Sequence, residues 1–235
     1  HSKMQLPEIT VIDTIDARKR KIMYSHFSKV LIEKIKEKLE KSQQVILFQN
    51  RRGFSPYVQC KECGHIPKCS QCDVSLTYHK GPNTLNCHYC GLTTVNTGKC
   101  QVCESSGVET RGFGTEKIED ELKVFFPDKN ILRMDLDTTK GKDGHSKIIS
   151  LFENAKVDIL IGTQMVSKGL DFNNVSLVGI MDADSILSIP DFRAFERAFQ
   201  LMTQVSGRAG RSDIKGEVII QSTNCGHKII NHVLN

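Results

Sequence analysis

The most regular pattern in this chain is the segment CKECGHIPKCSQCDVSLTYHKGPNTLNCHYCGLTTVNTGKCQVC (Cys60–Cys103). It holds eight of the nine cysteines of the chain, arranged as four Cys-x-x-Cys pairs. The pairs are Cys60 with Cys63, Cys69 with Cys72, Cys87 with Cys90, and Cys100 with Cys103. This spacing is typical of a tight turn that directs two thiolates at one tetrahedral zinc ion. Four such turns predict two four-thiolate zinc sites.

The lengths of chain between the pairs indicate which pairs share an ion. Five residues (64–68) separate the first two pairs, which is a short path for closing a tetrahedron, whereas fourteen residues (73–86) separate the second and third. A nested arrangement is therefore favoured, and a cross-braced one, first pair with third and second with fourth, is the alternative. In the nested arrangement an inner ion is held by Cys69, Cys72, Cys87 and Cys90, and an outer ion by Cys60, Cys63, Cys100 and Cys103.

Two other uses of cysteine fit this pattern less well. A disulfide scaffold is typical of short secreted chains, in which the cysteines are spread over the whole length. A redox Cys-x-x-Cys motif occurs singly beside a βαβ unit. Four pairs in succession, separated by turn-forming residues, favour metal binding over both.

Composition excludes several classes of protein. Hydrophobic residues make up 39% and charged residues 25%, which is ordinary globular usage and excludes a wholly disordered chain. No apolar run approaches the ~20 residues needed to cross a bilayer. Charged residues such as Lys3 and Glu8 interrupt the start before an apolar signal segment can form, so we expect a cytoplasmic protein. The first three residues, 1–3, resemble a remnant of cloning.

Outside the cysteine segment, strand and helix patterns alternate. Strands are predicted at QVILFQ (44–49), VETRGF (108–113), NILRMD (130–135), VDILIG (157–162), VSLVGIMD (175–182) and EVIIQS (217–222). Helices are predicted around residues 30–39, 115–126, 148–152 and 193–205, the first capped by Ser25 or Ser28. Such alternation predicts an α/β domain with a mostly parallel sheet covered by helices on both faces.

The domain organisation follows from the position of the cysteines. We expect a zinc-binding subdomain over residues 59–103, inserted into one α/β domain made of residues 26–58 and 104–235. Residues 1–25 are expected to be the cloning remnant and a linker. The net charge is +5, with the basic excess in the first 59 residues. A modest patch of this kind favours an acidic polymer as partner, although a solvated helix face explains it equally well.

Two loops carry polar groups at places where α/β proteins bind ligands. One is GTQMVSKGLDF (162–172), which follows a predicted strand, and the other is QVSGRAGR (204–211), at a helix end. The three-residue spacing of Arg208 and Arg211 puts them on roughly one face, so two guanidinium groups can hold one polyphosphate. Taken alone, such a pair is also an ordinary feature of a helix C-terminus.

Together these two loops resemble motifs V and VI of superfamily-two helicases. Further runs, in the same order, resemble the PriA family of bacterial replication-restart helicases. They are NRRGF (50–54) leading into the cysteine pairs, GFGTEK (112–117), MDLDTT (134–139) and PDFRAFERAFQL (190–201). The resemblance covers nearly the whole chain and rests on several independent motifs.

This resemblance implies a RecA-like second helicase lobe that carries an inserted subdomain with two Zn²⁺ ions in the nested arrangement. It implies that the full enzyme uses ATP and Mg²⁺ to unwind DNA with 3′-to-5′ polarity at stalled forks and helps to assemble the primosome. The implied partners are forked or single-stranded DNA, primosome proteins and single-stranded DNA-binding protein, with no membrane involved.

The motifs also imply which residues contact ATP. Arg208 and Arg211 would reach its phosphates from across the cleft between the lobes and stabilise transition-state charge. Gln204 would help to place the attacking water. Gly169 and Asp171 would approach the ribose side of the nucleotide or couple it to DNA.

Three further residues are implied to contact DNA. Thr163 and Gln164 would touch the DNA backbone. Thr115, expected to cap a helix, would present backbone N–H groups to a phosphate, although a simple N-cap role explains it as well.

The chain departs from a complete helicase in one respect. No segment fits GxxxxGK[ST], and MDADS (181–185) lacks the adjacent acidic residue of a DExH box. We therefore expect negligible ATPase and helicase activity from this chain alone. An alternative from another class is a stand-alone zinc-dependent module that binds single-stranded DNA or a protein, and an RNA motor is a third hypothesis.

Overall fold

The computed structural model describes residues 7–50, 57–79, 81–111, 114–135, 138–139, 144–163, 172–188, 193–209 and 215–234. The helices are α1 (Thr14–Lys19), α2 (Lys29–Glu40), α3 (Thr115–Phe125), α4 (Gly144–Glu153), α5 (Ala183–Leu187), α6 (Ala194–Ser206) and α7 (Lys228–Leu234). The strands of the main sheet are β1 (Glu8–Asp13), β4 (Gln44–Phe48), β10 (Ile131–Met134), β11 (Ile159–Gly162), β12 (Val175–Ile180) and β13 (Glu217–Ser222). The remaining strands are β2 (Met23–Tyr24), β3 (Phe27–Ser28), β5 (Tyr57–Cys60), β6 (Thr77–His79), β7 (Thr84–Asn86), β8 (Thr93–Val95) and β9 (Val108–Arg111).

The main sheet has six parallel strands in the order β1-β13-β12-β4-β11-β10. Every residue of β4, β11 and β12 is buried, as expected for central strands covered on both faces. Two apolar cores lie on opposite faces, one against α2 and α3 and the other against α4, α6 and α7. The predicted α/β class with a covered parallel sheet is confirmed.

Helix α2 shows how the local sequence sets an element. The Ser28 hydroxyl accepts a hydrogen bond from the N–H of Leu31 at 3.3 Å, which caps the helix at its first turn. Leu31, Ile35 and Leu39 then recur at helical spacing and are buried against the sheet. In the part of the chain that the structure describes, no helix is both long and apolar enough to span a bilayer.

The fold differs from the sequence prediction in two places. The sequence predicts a linker over residues 1–25, but Glu8–Asp13 forms β1, the edge strand parallel to β13. The sequence also places 108–113 among the strands of the parallel sheet. Val108–Arg111 instead forms β9, which pairs antiparallel with β5 at the base of the cysteine-rich insert. The reason is geometric: the strands that lead out to an insert and back lie side by side.

A half-buried ion pair joins α2 to the start of β13. Lys38 is 5% exposed, and its ammonium group donates to the carboxylate of Glu217. Lys34 Nζ lies 2.9 Å from Glu217 Oε2. Burial raises the pKa of Glu217, but hydrogen bonds from Lys38 and Lys34 outweigh burial and hold that pKa below its ordinary value of 4.5. The pair therefore stabilises the folded state as long as Glu217 is ionised.

We predict that Glu217→Gln lowers the free energy of unfolding at pH 7 by about 2 kcal/mol, because the buried Lys38 ammonium then keeps only the weaker pairing with the more exposed Glu37, whose Oε1 lies 3.8 Å from Lys38 Nζ. A depressed carboxyl pKa contributes stability that is present above the unfolded-state pKa and is lost as the pH falls through the folded-state pKa. The wild type and the variant should therefore converge in acid. Urea unfolding at pH 7 and at acid pH measures this, with Glu40→Gln, which removes the exposed partner of Lys36, as control. An equal loss at both pH values would contradict the assignment.

Candidate metal centres

Each Cys-x-x-Cys pair forms the same backbone turn. In the first, the N–H of Cys60 donates to the carbonyl of His65 and the N–H of Gly64 donates to the carbonyl of Cys60, both at 3.0 Å. The same two bonds recur in the other three turns. The N–H of the first cysteine donates to the carbonyl five residues later (Cys69 to Val74, Cys87 to Leu92, Cys100 to Ser105). The carbonyl of that cysteine accepts from the N–H four residues later (Asp73, Gly91 and Glu104, respectively). The residue after each second cysteine has a positive φ: Gly64 73°, Asp73 51°, Gly91 76° and Glu104 58°.

These turns gather the eight thiols into two groups. Within each group the four sulfur atoms lie within 4.8 Å of one another. The outer group contains Cys60, Cys63, Cys100 and Cys103, and the inner group contains Cys69, Cys72, Cys87 and Cys90. The cysteines are thus grouped in the nested arrangement, and the cross-braced alternative is wrong.

The distances between the sulfur atoms fit a tetrahedral ion. Metal–sulfur bonds of about 2.3 Å give a tetrahedron with edges of about 3.8 Å. The Sγ atoms of Cys60 and Cys103, of Cys63 and Cys100, and of Cys69 and Cys90 are each 3.6 Å apart. Four soft sulfur donors at these separations fit Zn²⁺ and would leave no coordination position open for a substrate, which is the pattern typical of structural zinc sites.

The turns also stabilise thiolate charge. Without a cation, burial and the neighbouring thiols raise the pKa of Cys63 and of Cys72 to about 12. Burial raises the pKa of Cys87 and Cys100 as well, but backbone N–H groups of their own turns outweigh it and lower that pKa to about 7. In the fourth turn the N–H of Val102 donates to Cys100 Sγ at 3.4 Å. Each tetrad therefore contains one sulfur whose ionised form, the metal-binding form, the backbone already favours.

The residues implied to contact ATP are only partly described. Gln204 lies exposed near the end of α6, and Arg208 is half-buried just beyond the helix cap at Gly207. The structure places the two at the same helix end. Gly169, Asp171 and Arg211 lie outside the described residues.

The residues implied to contact DNA are divided in the same way. Thr163 is 5% exposed immediately after β11, and Gln164 lies outside the described residues. Thr115 is not the helix cap that the sequence predicts, since Gly114 is the N-cap of α3 and Thr115 is the first helical residue. Thr115 is fully buried, and its hydroxyl donates to the buried carboxylate of Asp135. Its side chain thus ties α3 to the end of β10, and any contact with a phosphate has to come from its backbone.

Two family models match this chain. Residues 69–94 match the PriA DNA helicase Cys-rich region (CRR) domain, and residues 113–213 match the helicase conserved C-terminal domain. The first match covers the inner cysteine group, and the second covers α3 to α6 together with strands β10, β11 and β12 of the main sheet. The zinc-binding and helicase assignments made from the sequence therefore have separate support.

Curated relatives match almost the whole chain. Replication restart protein PriA of Bacillus subtilis (strain 168) is 46% identical over 222 residues, which is 94% of this chain and 28% of that protein. The Synechocystis protein of the same name is 42% identical over 97% of this chain and 28% of its own length. The Haemophilus influenzae protein is 43% identical over 94% and 30%. The chain thus spans about 30% of the length of these relatives.

Solved structures are more distant. The Mss116p DEAD-box helicase domain 2 bound to an RNA duplex aligns with a TM-score of 0.43 at 14% identity, covering 92% of this chain and 54% of that one. The relation of this chain to known proteins is therefore seen in its sequence relatives.

We predict that the purified chain holds two zinc ions and that a chelator loosens the insert selectively. The insert has only a small apolar core, centred on side chains such as Val58, Leu76 and Leu85, so its fold should depend on metal. Elemental analysis measures the stoichiometry. Amide hydrogen exchange after chelation should rise across residues 60–103 and stay unchanged in β4 and β12. Unchanged exchange in residues 60–103 would contradict a structural role for the ions.

Proposed function

Because this chain belongs to the PriA family, whose Cys-rich region and helicase C-terminal domain it carries, we propose that it is the zinc-bearing second lobe of an ATP-dependent DNA helicase that restarts stalled replication forks. One observation carries the proposal. Two nested four-cysteine groups interrupt a six-stranded parallel sheet between β4 and α3, in a chain 46% identical to a replication restart protein. The relatives are replication proteins, which supports a cytoplasmic location.

The ATP site is proposed to lie where this lobe meets a first lobe. Arg208 and Arg211 would contact the phosphates from across the cleft and stabilise the charge that develops during transfer, with Mg²⁺ held by the other lobe. Gln204, at the same helix end as Arg208, would orient the attacking water. Gly169 and Asp171 would approach the ribose. The position of Arg208 just beyond the end of α6 supports this proposal, since a side chain there is held by a packed helix.

DNA is proposed to cross the edge of the sheet at which the parallel strands end. Thr163 directly follows β11, and Gln164 and the backbone of Thr115 are proposed to contact DNA phosphates at the same edge. The fragment contributes to 3′-to-5′ unwinding only as part of the longer enzyme. Primosome proteins and single-stranded DNA-binding protein are the proposed partners, with the zinc insert as a contact surface.

The zinc ions are proposed to be structural. When bound, each ion links two turns that are distant in sequence, and all four of its ligands are supplied by this chain. The insert would then present a fixed surface to DNA or to a partner protein.

We predict that the isolated chain shows negligible ATP hydrolysis, with or without single-stranded DNA. Its 235 residues contain no GxxxxGK[ST] segment to hold the nucleotide phosphates. Steady-state phosphate release, with and without DNA, measures this. A DNA-stimulated rate from the chain alone would refute the assignment as a second lobe.

In a longer protein that also carries the first lobe, Arg208→Ala should lower kcat for ATP by about 10³-fold while leaving folding intact. Lys156→Ala, which removes an exposed charge between α4 and β11, serves as control and should leave kcat unchanged. DNA binding without any ATP dependence would instead favour the stand-alone binding module.

A further inference from the structure

One buried side chain joins the cysteine-rich insert to the helicase lobe. Gln59, on β5, is 2% exposed. Its Nε2 donates one hydrogen bond to the carbonyl of Gly64 at 3.2 Å and another to Thr223 Oγ1 at 2.8 Å. Gly64 closes the first turn of the outer cysteine group, and Thr223 directly follows β13. The amide of Gln59 therefore connects the outer metal centre to the lobe.

The turn of the outer centre also packs directly against the lobe. A Cβ atom added at Gly64 would lie 3.0 Å from Ile15 Cδ1 and 3.2 Å from Thr223 Cβ. The positive φ of Gly64, 73°, favours glycine independently. Close to this contact, the hydroxyl of Tyr57 on β5 lies 3.5 Å from Asp182 Oδ2 in the lobe. The base of the insert thus sits against α1, the end of β13 and the start of α5.

Hydrogen bonds continue from Thr223 into the lobe. The N–H of Thr223 donates to Asp184 Oδ2 at 2.7 Å, and the hydroxyl of Ser222 donates to Asp184 Oδ1 at 2.9 Å. Asp184 is 5% exposed on α5, and these two hydrogen bonds offset the cost of burying its polar side chain. Helix α5 precedes α6, whose end carries Gln204 and Arg208. The bonds form a continuous path from the outer centre to α5.

The inner centre is linked to the lobe by a weaker contact. Lys68, next to Cys69, has its Nζ 6.0 Å from the ring centroid of Phe195 on α6. The same ammonium group pairs with the exposed Asp73 at 3.2 Å. Both groups of that ion pair are largely exposed, so water screens them. The state of the inner centre should therefore have little effect on the lobe.

We propose that Gln59 is a positioning residue that couples the outer metal centre to α5 and to the segment after β13. Metal in the outer centre fixes the turn that ends at Gly64, and Gln59 then holds Thr223 in the geometry that satisfies Asp184. Loss of that metal loosens the turn and, through Gln59, the Thr223 segment. This inference rests on the proposed metal binding, and it assigns different roles to the two centres. The outer centre orients the insert on the lobe. The inner centre maintains the fold of the segment between its own cysteines, residues 69–90.

The amide proton of Thr223 is a direct reporter, because it forms one of the bonds in the path. We would compare Cys103→Ser, which removes an outer ligand, with Cys90→Ser, which removes an inner one; both cysteines are exposed. Zinc content is measured for each variant and should be one ion per chain. Exchange at Thr223 should be faster in Cys103→Ser by on the order of fivefold, the effect of losing about one hydrogen bond, and unchanged in Cys90→Ser.

Variants that leave all eight cysteines in place separate coupling from folding of the insert. Gln59→Leu should speed exchange at Thr223 by a similar factor with two zinc ions still bound. In the double variant that also carries Cys103→Ser, exchange at Thr223 should be little faster than in Gln59→Leu alone. Thr223→Val removes the hydroxyl that accepts from Gln59 and should behave like Gln59→Leu. Thr223→Ser keeps a hydroxyl and should exchange at the wild-type rate.

The possible results distinguish this inference from the proposed function. If zinc is bound but Cys103→Ser and Cys90→Ser change exchange at Thr223 equally, or Gln59→Leu leaves it unchanged, the coupling is wrong and the metal sites stand. If the wild-type chain binds no zinc, the proposed metal sites fail first, and the inference fails with them.

Discussion

Four sulfur atoms within 4.8 Å of one another can all be thiolates only if a cation lies between them. That electrostatic requirement governs the cysteine-rich insert, because its apolar cluster is small and its strands β6, β7 and β8 are three residues long. The four identical backbone turns orient the thiols, but they do not remove the repulsion between like charges. We therefore expect the shape of the insert to depend on two ions.

The nested arrangement allows the insert to fold without interrupting the parallel sheet. The chain leaves the sheet after β4 and returns at α3, and β5 and β9 run antiparallel between these points. An outer tetrad formed from the first and last turns closes the insert near its base. The sheet order is undisturbed, because the excursion takes place within a crossover connection, where length is tolerated. A cross-braced arrangement would place no such closure at the base.

Part of this organisation could be predicted from the sequence. The spacing of the cysteines predicts the nested arrangement of the two metal sites, because the five residues between the first two pairs make it difficult for those pairs to share an ion. The continuous apolar runs of β4, β11, β12 and β13 predict buried strands. Edge strand β1 has no such signal, because EITVID begins and ends with a charged residue and none of its residues is fully buried, and its partner, β13, lies about 200 residues away. Thr115 follows a glycine where a helix starts, and only tertiary structure shows that its hydroxyl is used by Asp135. Gln59 gives no local signal at all, since its role comes from Thr223, 164 residues further along the chain.

We infer that eight cysteine sulfurs, and no other side chains, hold two ions in tetrahedral sites. X-ray absorption at the zinc edge of the purified chain tests this directly, because it distinguishes sulfur from nitrogen ligands. His65, His79 and His88 lie in the same segment, and a nitrogen ligand would show that one of them replaces a cysteine. We expect four sulfur atoms at about 2.3 Å around each zinc and no nitrogen or oxygen. A first shell that contains nitrogen, or fewer than four sulfur atoms per ion, would contradict it.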